Sequence, residues 1–506
     1  MQDSEARDTK PPGKFSEKRV LFLLCIFAAL HGFVFSAAFP FFNNVDEPSQ
    51  FDLLVKYSHG HIPRGQEFFS RDSSAYLTLF SSCAYMGTPD MFPDHKMPAP
   101  LWTEQPLSKM QRDFALTIAS WQAQSNYEVS QAPLYYSLTG TWWGLGRQMG
   151  FQGGRWLFSL HFLNIFVVIA LVCLGYHAAA IIFPERPFAR WGVAAFLAFL
   201  PNETFYSIEN DILSSLCFGL TFLCVIKWLS DERPTACWGV LTGLAFAATY
   251  LTKATNLPLL GMAAAVLLLR SFQILRKNRP GVLLPAWLGF LGTAIPPVAC
   301  WMIWCHSNYG DLTGAKLKME RLHWTMKPFG QWWGHPIFTP LGTWTYLSGQ
   351  LGTFWQGEFT WHNQPLAWPF TNGIYTLLSL ILIGLSIAWL YSQRKTFKLP
   401  HQVLLFSAAC VFSELFFFAW MSVIYDFGDC PNPSREHPYF AAGRMMLGML
   451  IPFLLLIVFG LDLCLARLQN RSKYYVLAMI VLMMLALETA TAWPVFFNEY
   501  NWFHLP

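Results

Sequence analysis

Long apolar runs recur along this chain of 506 residues and constrain its fold more than any other feature of the sequence. A bilayer core about 30 Å thick is crossed by about 20 predominantly apolar residues in an α-helix. Runs of about spanning length lie at 20–42, 156–183, 191–207, 212–230, 237–252, 256–270, 283–305, 369–392, 402–425, 443–466 and 474–494. The sequence therefore predicts an all-α integral membrane protein with about eleven transmembrane helices. A tail of residues 1–19 precedes a single polytopic domain of residues 20–506.

The composition agrees with a protein that lives in the lipid bilayer. The chain is 54% hydrophobic and 13% charged, whereas soluble domains carry about 25% charge. The net charge of +4 is too small to indicate a nucleic-acid partner. Eleven cysteines are scattered without a C-x-x-C pair, which gives little support to a zinc or redox site.

Basic residues predict the orientation of the spans. If the helices alternate from a cytoplasmic N-terminus, the segments on the inner side hold 19 of the 34 Lys and Arg residues, as the positive-inside rule expects. The basic residues before the first span look like a retained anchor, and no cleavage site follows the span. This orientation requires the run 134–149 to lie along the exterior interface as a juxtamembrane helix. It also predicts two long exterior loops, at 42–154 and 306–368, which carry juxtamembrane helices.

Charged and polar residues gather at the predicted exterior ends of separate spans. Carboxylates there can deprotonate a hydroxyl group or hold a metal ion, whereas Lys and Arg side chains can bind a phosphate. Ionisable residues at a membrane boundary are costly, so they indicate function. The residues concerned are Asp46, Glu47, Glu209, Asn210, Asp211, Lys253 and Arg444.

These residues fall in short motifs that resemble those of GT-C-type polytopic glycosyltransferases, which use polyprenyl-linked sugar donors. The resemblance is to the protein O-mannosyltransferase and aminoarabinose-transferase branch, and to predicted membrane glycosyltransferases with D-E-P and N-N-D motifs. It spans nearly the whole chain in the order of the family. The matching segments are Asp46-Glu47-Pro closing with His61-Ile-Pro63, Tyr127-Glu128-Val-Ser-Gln131-Ala-Pro133-Leu-Tyr135-Tyr136, Glu209-Asn210-Asp211, Tyr250-Leu-Thr-Lys253 and Gly443-Arg444.

The chain also departs from the family pattern at four positions, one of which is Gln131, where some branches place a basic residue. Gln50 stands where a His is usual after the D-E-P motif, and Ala132 replaces the first proline of the P-P-L element. Met445 follows Arg444 where a Tyr is usual. These departures shift the expected phosphate contacts toward Lys253 and Arg444, and the substrates are expected to differ from those of the better-known branches.

The resemblance implies a membrane glycosyltransferase that moves a sugar from a polyprenyl-phosphate donor to a glycan, lipid or protein acceptor at the exterior face. Asp46 is then expected to be the general base, with a raised pKa because of partial desolvation, and Glu47 is its rival. Lys253 and Arg444 would hold the leaving phosphate. The remaining expected substrate-binding residues are Glu209, Asn210, Asp211, Gln131, Tyr135 and His61. A divalent cation, Mg²⁺ or Mn²⁺, could be held by Asp46 and Asp211.

Two other functions stay open on the sequence. A transporter or flippase for a lipid-linked or anionic substrate would explain the spans, but it predicts ionisable residues at mid-membrane depth, where only Glu414 and Glu488 lie well inside spans. A scaffolding membrane protein without catalytic activity would tolerate mutation of Asp46.

Overall fold

A computed structural model describes residues 14–103, 107–277, 280–395, 398–428, 430 and 433–505. Its α-helices are α1 Lys14–Ala38, α2 Glu47–Ser58, α3 Arg71–Phe80, α4 Leu107–Gln122, α5 Pro133–Gln148, α6 Gly153–Ile182, α7 Pro187–Ala198, α8 Asn210–Ser230, α9 Ala236–Thr252, α10 Leu257–Lys277, α11 Leu284–Tyr309, α12 Ala315–Arg321, α13 Phe329–Trp332, α14 Pro340–Gln356, α15 Pro369–Ser392, α16 Leu399–Ile424, α17 Leu450–Cys464 and α18 Asn470–Ala492. The protein is therefore all-α apart from three short strand pairs.

Within the described residues, nine helices are long and apolar enough to cross a membrane. They are α1, α6, α8, α10, α11, α15, α16, α17 together with the 3-10 turn before it, and α18. Each of the eleven predicted runs contains a helix, but α9 has 17 residues and α7 only 12. The prediction that one run continues from 191 to 207 was wrong. Helix α7 ends before Pro201, which disfavours helical geometry in the residue before it, and a 3-10 turn follows at Glu203–Tyr206.

Helix α5 occupies the run that we expect to lie along the membrane interface. It is not among the nine helices of spanning length. One side of α5 packs on α2, where a Cβ on Gly140 would lie 2.8 Å from the carbonyl oxygen of Leu54. Its other side leaves Leu138, Trp142 and Leu145 exposed. This amphipathic arrangement is typical of a helix at a membrane interface.

Helix α17 forms the centre of the bundle. Every residue from Leu450 to Asp462 is buried, and α7, α8, α15 and α16 pack around it. Small residues allow another close pair, because a Cβ on Gly239 of α9 would come within 2.0 Å of the Ala286 carbonyl oxygen of α11. Such close backbone approach is a common way to pack helices in membranes.

The two long loops meet at one end of the bundle. The hydroxyl group of Tyr309 donates to the carbonyl oxygen of Pro63 at 2.7 Å, and the backbone N–H of His362 donates to the carbonyl oxygen of Ala84. Antiparallel strand pairs order the loops further. The pairs are β1 Glu67–Phe68 with β2 Ser125–Asn126, β3 Thr325–Met326 with β6 Tyr425–Asp426, and β4 Thr360–Trp361 with β5 Gln364–Pro365. The segments that carry the candidate site residues are therefore held against one another.

Candidate functional site

The side chain of Arg444 lies at the centre of the candidate site and contacts four carboxylates. Its Nη2 atom donates to Asp46, its Nη1 atom donates to Glu209 at 2.9 Å and to Asp211 at 3.2 Å, and its Nε atom donates to Glu358 at 2.7 Å. Only 3% of the Arg444 side chain is exposed. Four carboxylates from three separate segments thus converge on one guanidinium group.

Lys253 extends this group of charges. Its Nζ atom lies 2.7 Å from both carboxylate oxygens of Asp211, and the residue is buried. We call the six residues that these contacts join the Arg444 cluster: Asp46, Glu209, Asp211, Lys253, Glu358 and Arg444. It has four carboxylates and two cations, so its formal charge is −2 when all six are ionised. Buried charges of this density need mutual pairing to be tolerated.

Helix ends place most of these side chains. Asp46 immediately precedes α2, and Glu209 immediately precedes α8. Asp211 lies in the first turn of α8, where the positive end of the helix dipole favours a carboxylate. Lys253 follows the last residue of α9. The sequence sets these residues at span boundaries, and the folded bundle brings the boundaries together.

Two glycines allow the backbone to approach closely enough for the cluster to form. A Cβ on Gly443 would lie 2.0 Å from the Gln350 carbonyl oxygen, so a glycine is required where the segment of Arg444 crosses α14. Gly357 precedes Glu358 and has a φ of +91°, a conformation that side-chain-bearing residues rarely adopt. Both glycines therefore help to aim a charged neighbour into the site.

Amides and a tyrosine surround the carboxylate of Glu209. The Nε2 atom of Gln50 donates to Glu209 at 3.1 Å, and the Tyr136 hydroxyl donates to the amide oxygen of Gln50. Asn210 donates to the Tyr136 hydroxyl at 3.3 Å and to Gln131 at 3.2 Å. Gln50, which replaces the usual His of the family motif, therefore belongs to the polar network of the site.

A third cation, Lys318, reaches the site from the second long loop, residues 306–368. Lys318 of α12 pairs with Glu128, and its Nζ atom lies 5.6 Å from the ring centroid of Tyr127. The Tyr127 hydroxyl donates to Asp46 at 2.9 Å. A cleft of about 180 Å³ adjoins Tyr127 and is lined by polar residues, among them Gln66, Asn126 and Arg321. The cleft therefore reaches the tyrosine whose hydroxyl contacts Asp46.

The electrostatic environment of Asp46 is opposite to the one that the sequence predicts. Burial disfavours the charged form of Asp46, but the positive charges of Arg444 and Lys318 outweigh it and hold the pKa below its usual range. The expectation of a raised pKa was therefore wrong. The physical reason is that ion pairing with a residue distant in sequence exceeds the effect of desolvation.

The neighbouring carboxylates shift the other way. Burial raises the pKa of Glu209 well above its usual value, and the charges of Asp46 and Asp211 add to this effect although Arg444 opposes it. Burial also raises the pKa of Glu358. One oxygen of Glu209 has no hydrogen-bond partner within the described part of the chain. Protonation of Glu209 would change the formal charge of the Arg444 cluster from −2 to −1.

Glu47, the predicted rival of Asp46, points elsewhere. Its carboxylate accepts from the backbone N–H groups of Phe42 at 2.7 Å and Ile208 at 3.0 Å. Its Oε1 atom also lies 2.9 Å from Nε2 of His161. Phe42 has a left-handed backbone with a φ of 66°, which is uncommon for a residue other than glycine. Glu47 therefore fixes the loop that leads to Asp46. Of these two carboxylates, only Asp46 belongs to the Arg444 cluster.

The last two predicted substrate-binding residues differ in position. Tyr135 is buried, and its ring packs edge-on against Tyr136, which belongs to the polar network around Glu209. His61 is about half exposed and lies 2.9 Å from Glu67, which in turn pairs with Lys56. His61 thus belongs to a different charged group, and the structure does not bring it to the Arg444 cluster.

Sequence reasoning missed three residues of the site. Glu358 could have been found, because it is the single acidic residue between Glu320 and Glu414 and lies in a long loop. Lys318 stands among other charged residues at 316–321 and carries no distinguishing signal. Tyr127 lies within a segment that resembles a family motif, but nothing in the motif indicates its contact with Asp46.

Two further buried carboxylates lie inside spanning helices. Glu488 of α18 is paired with His31 and Tyr206. Both oxygens of Glu414 in α16 are buried without a hydrogen-bond partner in the described residues. Among all residues that the structure describes, no three His, Cys, Asp or Glu side chains are grouped so that they could hold a metal ion. Asp46 and Asp211 instead contact Arg444.

Comparison with known proteins gives a family and a distant structural similarity. Residues 28–423 match a family model with the description "Predicted membrane protein (DUF2142)". No curated protein matches the chain significantly. Among solved structures, the chain is similar to the archaeal oligosaccharyltransferase AglB from Archaeoglobus fulgidus in complex with an inhibitory peptide and a dolichol-phosphate. The identity is 12% and the TM-score 0.41, with 95% of this chain and 56% of that chain covered. This chain thus spans a little over half the length of that protein.

Proposed function

We propose that this chain, a member of the predicted membrane protein family DUF2142, is a membrane glycosyltransferase of the GT-C kind. It would transfer a sugar from a polyprenyl-phosphate donor to an acceptor hydroxyl at the exterior membrane face. The observation that carries this proposal is the Arg444 cluster, in which two buried cations and four carboxylates meet at the end of the bundle that carries the long loops.

The cations suit the leaving group of this reaction. When the bond between the sugar C1 atom and the phosphate oxygen breaks, negative charge grows on the phosphate. Buried guanidinium and ammonium groups stabilise such charge more than exposed ones, because little solvent screens them. We infer that the phosphate takes the place of carboxylates as a partner of Arg444, while Lys253 provides a second positive charge. The resulting product is a polyprenyl phosphate.

Asp46 is the proposed general base. The new bond forms between the acceptor oxygen and the sugar C1 atom, on the face opposite to the phosphate, and the hydroxyl proton passes to the Asp46 carboxylate. While Arg444 is paired with Asp46, the low pKa of this carboxylate makes it a weak base. As Arg444 moves toward the donor phosphate, the pKa of Asp46 rises. Donor binding would thus activate the base, which would limit proton abstraction in the absence of donor.

The acceptor is proposed to approach through the cleft beside Tyr127. This cleft has polar lining residues and a Tyr127 hydroxyl that donates to Asp46. A divalent cation stays a separate proposal, because Mg²⁺ or Mn²⁺ would need to compete with Arg444 for Asp46 and Asp211. Titration of activity with Mn²⁺ and with a chelator would test it: activity unchanged by both would exclude a required cation.

The test is release of polyprenyl phosphate from a panel of radiolabelled polyprenyl-phosphate monosaccharides by the purified full-length protein. The variant Asp46→Asn should lose about 10²–10⁴ in rate, the usual contribution of a general base. Lys253→Ala should raise the Michaelis constant for the lipid donor, because it removes a contact that is also made in the ground state.

Matched controls are available on the same chain. Asp72→Asn changes an exposed carboxylate in the first turn of α3, and Lys227→Ala changes the last turn of α8; both should retain activity. Full activity of Asp46→Asn would refute the role of Asp46. Passage of an intact lipid-linked sugar across vesicles, with no polyprenyl phosphate released by the wild type, would replace the proposal with the transporter.

A further inference from the structure

A large apolar groove lies between α1, α7 and α18, away from the Arg444 cluster. Helices α1 and α18 both pack against the short helix α7, and a cavity of about 800 Å³ remains between them. Its apolar lining includes Val20, Leu24, Phe27, Ala195, Ala478 and Leu482. Val20, Phe27 and Leu482 of this lining are exposed large hydrophobic residues, so the groove opens toward the lipid. We call it the α1–α18 groove.

The groove has the depth of one bilayer leaflet. Along α1 its lining runs from Glu17 to Phe27, which is about 15 Å at the rise of an α-helix. That is half of the roughly 30 Å hydrocarbon core. Beyond the lining, α1 and α18 are joined directly, because Nε2 of His31 lies 2.8 Å from Glu488, whose other oxygen accepts from Tyr206 at 2.6 Å. This polar junction closes the groove near mid-membrane.

The open end of the groove is positively charged. The segments 17–19, 185–190 and 462–473 lie at this end and carry seven Lys and Arg residues against three Asp and Glu residues. Arg190, in the first turn of α7, has its Nη2 atom 3.4 Å from Glu17, and its buried Nε atom has no hydrogen-bond partner in the described chain. An anionic headgroup would find a surplus of positive charge there, beside the Arg190 side chain, which is 15% exposed.

We propose that the α1–α18 groove is a binding site for one acyl chain of an anionic phospholipid, with the lipid phosphate beside Arg190. The lipid belongs to the leaflet opposite the candidate active site, since α1 continues for about 32 Å from Glu17 to its far end at Ala38. A sugar donor whose phosphate contacts Arg444 would have its headgroup in the other leaflet. The site is therefore independent of the proposed glycosyl transfer.

The experiment is native mass spectrometry of the detergent-purified full-length protein with equimolar phosphatidylglycerol and phosphatidylcholine. The wild type should retain one phosphatidylglycerol in preference to phosphatidylcholine. Ala478→Phe places a ring in the groove and displaces about two methylenes of the chain, which should weaken retention of both lipids by about tenfold. Arg190→Gln should remove the preference for phosphatidylglycerol and leave chain binding in place.

Two control variants carry the same changes outside the groove. Ala265→Phe alters an exposed position of α10, and Arg276→Gln alters an exposed residue near the end of α10; both should bind lipid as the wild type does. If Ala478→Phe does not fold, Ala195→Phe tests the opposite wall. Equal lipid retention by Ala478→Phe and Ala265→Phe would overturn the proposal, and so would displacement of phosphatidylglycerol by added undecaprenyl phosphate.

Discussion

Replacement of Arg444 by Gln should destabilise the protein more than loss of any other single charge at the site. The variant leaves Asp46, Glu209 and Glu358 without their cationic partner, and Asp211 with Lys253 alone. The hydrogen bonds from Arg444 to Glu358, Glu209 and Asp211 are 2.7, 2.9 and 3.2 Å long. Loss of the one guanidinium group therefore affects four buried or half-buried carboxylates together.

The size of the effect follows from competing electrostatic terms. A pair of unit charges 4 Å apart is worth about 4 kcal/mol at an effective dielectric constant of about 20. Desolvation of each buried ion costs several kcal/mol, so most of this attraction is offset in the folded protein. Removal of one partner leaves the desolvation without the attraction, which costs about 3–5 kcal/mol. Arg444→Lys keeps the charge, but its single ammonium nitrogen cannot reproduce the planar fork in which Nε, Nη1 and Nη2 each reach a different carboxylate. We therefore expect roughly half of that loss.

Thermal unfolding in detergent, followed by tryptophan fluorescence, measures the effect. The matched control is Arg270→Gln, because Arg270 donates to the backbone carbonyl oxygens of Trp228 and Asp231 instead of to a carboxylate side chain. The double variant Arg444→Gln/Glu209→Gln should be more stable than Arg444→Gln, because it removes one of the unpaired carboxylates.

The result that would refute this reasoning is an unfolding temperature of Arg444→Gln equal to that of Arg270→Gln, with no gain on addition of Glu209→Gln. The carboxylates would then be solvated or protonated without help from Arg444. A second consequence would follow for Asp46, since its low pKa could no longer be attributed to the guanidinium group.

Three further predictions concern loop order, pH and topology. Glu47→Gln should cost about 1–3 kcal/mol of unfolding free energy, because two backbone donors lose a charged acceptor. Sugar transfer per folded molecule should persist. Loss of transfer at unchanged stability would instead make Glu47 the base. The pKa of Glu209 is raised in the folded state, so its contribution to stability is present below the unfolded value of about 4.3 and is lost as pH rises through the folded value. The melting temperature should therefore decline as pH rises above about 4.3, and Glu209→Gln should reduce this decline; identical slopes for the two proteins would contradict the prediction. A cysteine at Gln152 should react with an impermeant reagent as readily as one at Pro100; reaction only after permeabilisation would mean that α5 crosses the membrane.

The number and order of the helices could be predicted from the sequence because lipid exposure selects apolar residues over whole helical lengths. All eleven predicted runs contain helices, and the glycine- and tryptophan-rich run 134–149 forms α5, which is not among the helices of spanning length. Helix ends were less predictable. Residues 199–207 are largely apolar, and Pro201 determines that α7 ends before them.

The convergence of Asp46, Asp211, Lys253 and Arg444 could be inferred because all four stand at ends of spans on the predicted exterior side. Their pairing could not be inferred, since the sequence does not say which cation faces which carboxylate. The wrong sign for the pKa of Asp46 has this cause, because Arg444 and Lys318 contribute the decisive charges from distant segments. The role of Gln50 was hidden by the comparison with a family in which another residue is usual.

The separation of Asp46 and Arg444 along the chain has a consequence for biosynthesis. The two residues are 398 positions apart, and translation proceeds at about 5–20 residues per second. The carboxylates of the first loop are therefore made about 20–80 seconds before the guanidinium group that neutralises them. During this interval they must remain in water or hold protons. The seven earlier helices of spanning length that the structure describes cannot yet close around the site. Chains that stop before Gly443 would expose an acidic, unclosed bundle end, a feature by which proteases that survey the membrane could distinguish them from complete chains.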